Sequence, residues 1–284
     1  MTAGTQRNGE TAAGIVDCHL HIIDAQRFPF KPGVGYTPKP GEGGTFAQMT
    51  AALDAAGIAG ALIVQPSCYA ADNTALLDAL AAEPGRHRGI AVVAGTESDA
   101  ELQRLAQAGV VGVRFNLASF DSTALTRPEA PALLDRVKAM DWFAQVHGTD
   151  RQWSDAVPVL KRSGVKVLVD HFGIGDRVAD VDAPGFRAVL DLGRSGRAVV
   201  KLSAPFRLAD ASDGYAALDR HVDELLNAFG KERCVWGSDW PFIALDRRPS
   251  YDSCLAFLAR WLPDPQDRDR VKRRNPARLF GFGN

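Results

Sequence analysis

Eight apolar runs, each followed by a helical stretch, constrain this chain more than any other feature. The runs are Ile15–His21, Gly60–Gln65, Gly89–Val93, Val110–Asn116, Trp142–His147, Val165–His171, Ala198–Ser203 and Cys234–Asp239. Between and after them the pattern predicts helices around Met49–Leu53, capped by Thr45 and stopping near Gly57, then over Asn73–Ala82, Asp99–Ala108, Pro131–Met140, Ser154–Ser163, Ala183–Leu192, Tyr215–Phe229, Tyr251–Trp261 and Pro265–Phe280. Strands that are apolar nearly throughout suit a parallel sheet whose faces are both buried. Eight strand–helix units in 284 residues match an α/β fold of the closed (β/α)8 TIM-barrel type. An open doubly wound sheet would more often have fewer strands and, if it bound a nucleotide, a Gly-x-Gly-x-x-Gly turn after the first; that turn is absent.

Composition narrows the partners. A net charge of -1 with mixed signs gives no basic stripe for nucleic acid, and Lys272-Arg273-Arg274 reads as the solvated face of a last helix. No run approaches a membrane span. Residues 1–14 lack a signal-peptide core and read as a disordered leader, which leaves 15–284 as one barrel domain. Cys18, Cys68, Cys234 and Cys254 are too scattered for a metal knuckle, and fit buried, reduced thiols in a cytoplasmic protein. Barrels commonly self-associate, and a homo-oligomer is compatible with this chain, but no interface motif fixes one.

In a barrel the carboxyl ends of all strands meet at one mouth, where barrel enzymes place their chemistry. Here those ends supply His19 and His21, Gln65 and Ser67, Arg114 and Asn116, Gln145 and His147, Asp170 and His171, Ser203 with Arg207, and Asp239. Four of the six histidines fall there, which stability alone does not explain. In His19-Leu20-His21 the two imidazoles share a face of the strand; they bind a metal, flank a reacting group, or simply satisfy local hydrogen bonds. Asp239 in Trp236-Gly237-Ser238-Asp239-Trp240-Pro241 is either a turn aspartate or a base for water. His171, before Phe172-Gly173, either bonds a carbonyl or polarises one. Arg114 interrupts an apolar strand, so it needs a salt bridge or a substrate carboxylate. Arg207 is a second candidate of that kind. Tyr36, Ser67, Tyr69 and Asn73 are the expected polar contacts to an anionic substrate, and Asn116 and Gln145 either join them or pack and hydrogen-bond in the barrel rim. His19, His21, His147 and Asp239 together make a plausible zinc ligand set, which a positive Arg114 would disfavour or help balance.

The ordered motifs Val16-Asp17-Cys18-His19-Leu20-His21, Tyr36-Thr37-Pro38, Val64-Gln65-Pro66-Ser67, Asp72-Asn73, Gly112-Val113-Arg114-Phe115-Asn116, Val169-Asp170-His171-Phe172-Gly173, Lys201-Leu202-Ser203, Gly237-Ser238-Asp239-Trp240-Pro241 and Asn275-Pro276-Ala277-Arg278-Leu279-Phe280 cover nearly the whole chain. In this order the sequence resembles the amidohydrolase superfamily, in the branch of the pyrone-dicarboxylate lactonases. The resemblance implies that His19, His21, His171 and Asp239 surround the reacting bond. Many superfamily members use one or two divalent metals, whereas those lactonases use none. Arg114 stands on the fourth strand without a bridging lysine or glutamate, which argues against two metals. His147, where the lactonases carry a tyrosine, keeps one zinc credible. Ile174 replaces an arginine of the family's His-Met-Gly-Arg segment, and Leu117-Ala118-Ser119-Phe120 lacks that family's basic residues, so two carboxylates would be gripped less completely.

These observations lead to the expectation of a lactonase that opens a small carboxylate-bearing lactone, with Asp239 activating water and no metal or one zinc ion. A muconolactone-like ring or an aldonolactone from sugar-acid breakdown fits as well as the pyrone. The alternatives are a mononuclear-metal decarboxylase, a lactone isomerase, or a non-catalytic barrel that binds a sugar acid.

Overall fold

The computed structural model describes residues 14–175, 178 and 180–283. The expected leader, apart from Gly14, lies outside the described residues. Eight parallel strands stand in chain order, β1 (Ile15–Leu20), β2 (Ile58–Val64), β3 (His87–Ala91), β4 (Val110–Asn116), β5 (Phe143–His147), β6 (Lys166–Val169), β7 (Ala198–Ser203) and β8 (Cys234–Gly237). Each pairs with the next. A parallel bridge between Leu20 and Trp240 brings the last strand back to the first. The architecture is the expected (β/α)8 barrel.

The helices α1 (Phe46–Ala55), α2 (Thr74–Ala82), α3 (Asp99–Gln107), α4 (Ala130–Ala139), α5 (Asp150–Ser163), α6 (Pro184–Arg194) and α7 (Asp219–Phe229) alternate with the strands. The short helices α8 (Tyr251–Ala256), α9 (Leu258–Trp261), α10 (Pro265–Asp269) and α11 (Asn275–Phe280) close the described chain. Thr45 caps α1 in a reciprocal box with Gln48, as its position predicts. Several boundaries differ from the sequence pattern. The third strand starts at His87 and ends at Ala91, because Val92 N–H donates to the Asn73 side chain. The helix expected from Tyr215 begins at Asp219 after a short 3-10 turn, since Tyr215 takes a left-handed φ of 69°. The last helix is interrupted by a wider turn over Arg270–Arg274. All four cysteines are free and buried, as expected.

Strand alternation builds two cores. Val113, Ala144, Val167, Val200 and Trp236 face the helices. Val16, Cys18, Val64, Phe143, Leu168, Val199 and Val235 fill the barrel floor with Phe280 and Phe282. Above that floor, the same inward columns turn polar. Phe143 is followed two residues on by Gln145 and then His147; Val199 is followed by Lys201 and then Ser203.

The first strand needs a bulge to do the same. Asp17 is level with Ala61 and Leu20 with Ile63, so β1 has one residue more than β2 over this interval. The extra residue switches parity, placing Leu20 among the residues under the helices and His19 and His21 inward above Val16 and Cys18.

Candidate active site

The mouth holds a cavity of about 350 Å³ lined by residues that include His21, Tyr36, Ser67, Arg114, Asn116, His147, His171, Arg207 and Asp239. Asp239 stands at its base with a left-handed φ of 67°, and His171 has a φ of 44°. Such conformations are costly for non-glycine residues and persist only where the surroundings enforce them. The surroundings here are specific. Asp239 N–H donates to His19 O at 2.7 Å and His21 N–H to Trp240 O at 2.9 Å, locking the end of β8 to the end of β1. Gly237 makes the approach feasible, since a Cβ there would lie 2.7 Å from that of His19. Beneath them the buried Asp17 carboxylate accepts from His19 N–H at 3.0 Å, Ser238 N–H at 2.9 Å and the Tyr251 hydroxyl.

The Asp239 carboxylate collects the imidazoles. Its Oδ1 is 3.6 Å from Nε2 of both His19 and His21 and 3.9 Å from Nε2 of His171. Its Oδ2 accepts from Arg207 Nε at 2.5 Å. Burial alone would raise the pKa of Asp239, but Arg207 and the histidines outweigh it and hold the carboxyl well below the usual range. Burial lowers the proton affinity of His171 to a pKa of about 3 and that of His147 below the ordinary imidazole value. Both imidazoles are therefore neutral.

A second, deeper charge cluster sits on the floor side of His19. Asp170 is fully buried, with Oδ1 3.2 Å from Lys201 Nζ and from His19 Nδ1, and Oδ2 3.6 Å from Arg114 Nε. Desolvation works against its charge, but Lys201, His19 and Arg114 prevail and hold its pKa well below the usual range. Burial pushes the lysine pKa down, with Asp170 opposing the shift. Lys201 and Asp170 had no assigned role in the sequence pattern. Lys201 could have been noticed as Arg114 was, as a charge inside the apolar run Ala198-Val199-Val200-Lys201-Leu202-Ser203.

Among the expected substrate contacts, Arg114, Arg207, Tyr36, Ser67 and Asn116 line the cavity. Ser67 and Asn116 bond to each other at 2.7 Å, and Tyr36 bonds to Glu42. Asn73 and Gln145 do not line it. Asn73 instead ties the loop after β2 to that after β3, donating to Ala71 O at 3.1 Å and Val92 O at 2.8 Å. Gln145 is buried one layer below, where it donates to Asp170 Oδ2 and accepts from Lys201.

The donor atoms His19 Nε2, His21 Nε2 and Asp239 Oδ1 form a compact group that could hold a metal ion, separated by 3.3, 3.6 and 3.6 Å. Ligands about 2.0–2.2 Å from a tetrahedral zinc are themselves roughly 3.3–3.6 Å apart, so the spacing fits one ion. His21 Nδ1 lies 2.7 Å from Val64 O, which can only accept, so that nitrogen carries the hydrogen of a neutral ring and the lone pair is on Nε2. A second group comprises His19, Asp170 and His171, but Lys201 already stands against two of its members. Among the described residues His147 belongs to neither group, unlike in the expected ligand set; its Nδ1 faces Asn116 Oδ1 at 3.2 Å and its Nε2 has no hydrogen-bond partner there.

A 2-pyrone-4,6-dicarboxylate hydrolase of Comamonas testosteroni is 32% identical over 278 residues, covering 94% of this chain and 90% of that protein. A 4-sulfomuconolactone hydrolase of Hydrogenophaga intermedia is 28% identical, with 94% and 89% covered. A crystal structure from Acinetobacter baumannii, described as a probable 2-pyrone-4,6-dicarboxylic acid hydrolase with citric acid bound, superposes with a TM-score of 0.86 at 28% identity, covering 94% of this chain and 99% of that one. The amidohydrolase family model matches residues 16–282. The chain belongs to the amidohydrolase family.

Proposed function

We propose that this protein is a lactonase that hydrolyses a small lactone bearing a carboxylate. The observation that carries the reading is the cavity itself, in which the Asp239 carboxylate, the neutral imidazoles of His147 and His171 and two guanidinium groups face the same volume. The relatives support it, since those reported above are named for ring esters that carry carboxylate or sulfonate groups.

In this reading Arg114 and Arg207 seat the substrate carboxylate, with Tyr36, Ser67 and Asn116 beside it. Asp239 takes a proton from a water that attacks the ring carbonyl carbon. His171, through Nε2–H, and the Arg114 guanidinium stabilise the charge that develops on the carbonyl oxygen. The intermediate collapses by breaking the bond to the ring oxygen, which receives the proton from Asp239. One water is consumed, and the product is a hydroxy acid or its keto form. The strongly acidic Asp239 of the empty site is a poor base. A substrate carboxylate on Arg207 would add negative charge beside it and draw Arg207 away, raising its basicity when needed. The anionic group of the substrate thereby has a chemical use beyond affinity.

His19, His21 and Asp239 would hold a divalent cation if one binds, and it would act as a Lewis acid on the carbonyl. The steps above need none.

Turnover on a panel of carboxylated and neutral lactones tests the reading. Hydrolysis of at least one carboxylated ring is expected, with Asp239→Asn losing roughly 100- to 10,000-fold while remaining folded. No ring opened by the wild type would sink it. A product of unchanged mass would replace hydrolysis by isomerisation, and release of carbon dioxide would replace it by decarboxylation.

A further inference from the structure

Three hydrogen-bonding side chains beneath the cavity decide where the proton of His19 resides. Lys201 is fully buried, and its Nζ has three neighbours: Gln145 Oε1 at 2.8 Å, His19 Nδ1 at 3.1 Å and Asp170 Oδ1 at 3.2 Å. The amide orientation of Gln145 is forced, because its Nε2 donates to Asp170 Oδ2 at 3.0 Å and a flipped amide would set oxygen against carboxylate. Lysine's ammonium group offers three hydrogens and no lone pair. The three neighbours match it when His19 Nδ1 accepts. The competing partner of Nδ1 is Asp170 Oδ1, also 3.2 Å away, but a hydrogen on Nδ1 would then face the Lys201 ammonium, which has no lone pair, at 3.1 Å.

If Nδ1 accepts, the hydrogen of neutral His19 is on Nε2. Its partner is His21 Nε2 at 3.3 Å, with the two rings nearly perpendicular. His21 has a lone pair to receive it, because its own hydrogen is committed through Nδ1 to Val64 O. A single direction thus runs through four residues, from Lys201 to His19 to His21 to the backbone of β2. Every donor in the series meets an acceptor.

We propose that Lys201 is a positioning residue that fixes His19 as the Nε2–H tautomer and thereby keeps the His19–His21–Asp239 trio from taking up a divalent cation. The trio has the spacing for an ion, but a protonated Nε2 is not a ligand, and the His21 lone pair is already occupied. Fixed charge acts in the same direction. Lys201, Arg114 and Arg207 oppose only Asp170 and Asp239 in these two clusters, so the surroundings favour an anion. The proposal concerns the metal status of the site, and its readouts are independent of whether the substrate is a lactone.

The experiment combines nitrogen NMR of the full chain labelled with 15N-histidine and zinc titration of the same protein. A His19→Gln spectrum assigns the resonances. Wild-type His19 is expected to show hydrogen on Nε2 and a bare Nδ1. Lys201→Met removes the donor, leaving Asp170 Oδ1 as the neighbour able to receive Nδ1–H; His19 should switch tautomer and zinc should bind about 10- to 100-fold more tightly. Lys201→Gln retains a donor and should behave like wild type. A wild-type His19 protonated on Nδ1 would overturn the proposal, as would a folded Lys201→Met protein whose zinc affinity equals that of wild type. If Lys201→Met does not fold, the wild-type tautomer decides by itself.

Discussion

Arg207 and Asp239 form a buried-to-exposed ion pair across the cavity, with Nε 2.5 Å from Oδ2. The carboxylate is 4% exposed and the guanidinium 27%, so Arg207 can reach both Asp239 and whatever enters from solvent. Its position depends on Ala204, whose left-handed φ of 54° turns the chain from β7 into the short helix Pro205–Arg207.

Arg207→Gln should therefore be selective. A charge-assisted contact of roughly 1.5–3 kcal/mol corresponds to about a 10- to 150-fold loss of kcat/KM on carboxylated lactones. Neutral lactones should lose much less. Equal losses on the two classes, measured by steady-state kinetics, would remove Arg207 from the substrate-binding group.

Gly237→Ala tests the close approach of β8 to β1. The new Cβ would meet the Cβ of His19 at 2.7 Å and its backbone nitrogen at 2.8 Å, and neither is the end of a flexible side chain. The expected cost is about 1–3 kcal/mol of stability, by chemical denaturation, with activity falling further than stability. An alanine protein with wild-type stability and turnover would show that the seam tolerates more room than its distances indicate.

Asn73→Ala should separate stability from catalysis. It removes the two amide hydrogen bonds to Ala71 O and Val92 O and the bond received from Val92 N–H. A loss of about 1–2 kcal/mol is expected, with kcat/KM close to that of wild type. A change in substrate preference would return Asn73 to the substrate contacts.

His87 provides a pH test remote from the catalytic groups. Burial lowers its pKa below 6.5, with Arg86 adding to the shift and Glu83 and Asp54 opposing it. The unfolded chain takes up a proton near 6.5, whereas the folded chain resists it. Stability is thus fully present above that pH and is lost as pH falls from 6.5 toward the folded value. Thermal unfolding of wild type and His87→Gln between pH 7.5 and 5 should show curves that converge on acidification. Parallel curves would show that His87 contributes nothing to the pH dependence.

The barrel was legible in the sequence because its strands are apolar on both faces and recur between helices at regular intervals. The polar mouth was legible for a similar reason, since an arginine or histidine ending such a strand has few structural uses. Orientation was harder to read. Plain alternation from Val16 and Cys18 would turn His19 and His21 toward the helices, and the bulge that reverses this leaves no mark on composition. Asn73, opening the helix after β2, and Gln145, near the end of β5, had the right chemistry, but hydrogen bonds to a neighbouring loop and to Asp170 hold them out of the cavity. Lys201 lies a layer below the strand ends, where attention to the mouth alone does not reach.

The Asp17 carboxylate spans the junction of β8 with β1 from beneath, holding Ser238 and His19 together while their neighbours Asp239 and His21 face the cavity. Closing the cylinder and bringing these groups together consequently rest on the same hydrogen bonds. A variant that loosens this join would lose its chemistry at the same moment as its circumference. Adaptation to new ring esters therefore has its freedom elsewhere, in the overlying segments that carry Tyr36, Ser67, Ser119 and Ile243, where side chains can be exchanged without reopening the wall.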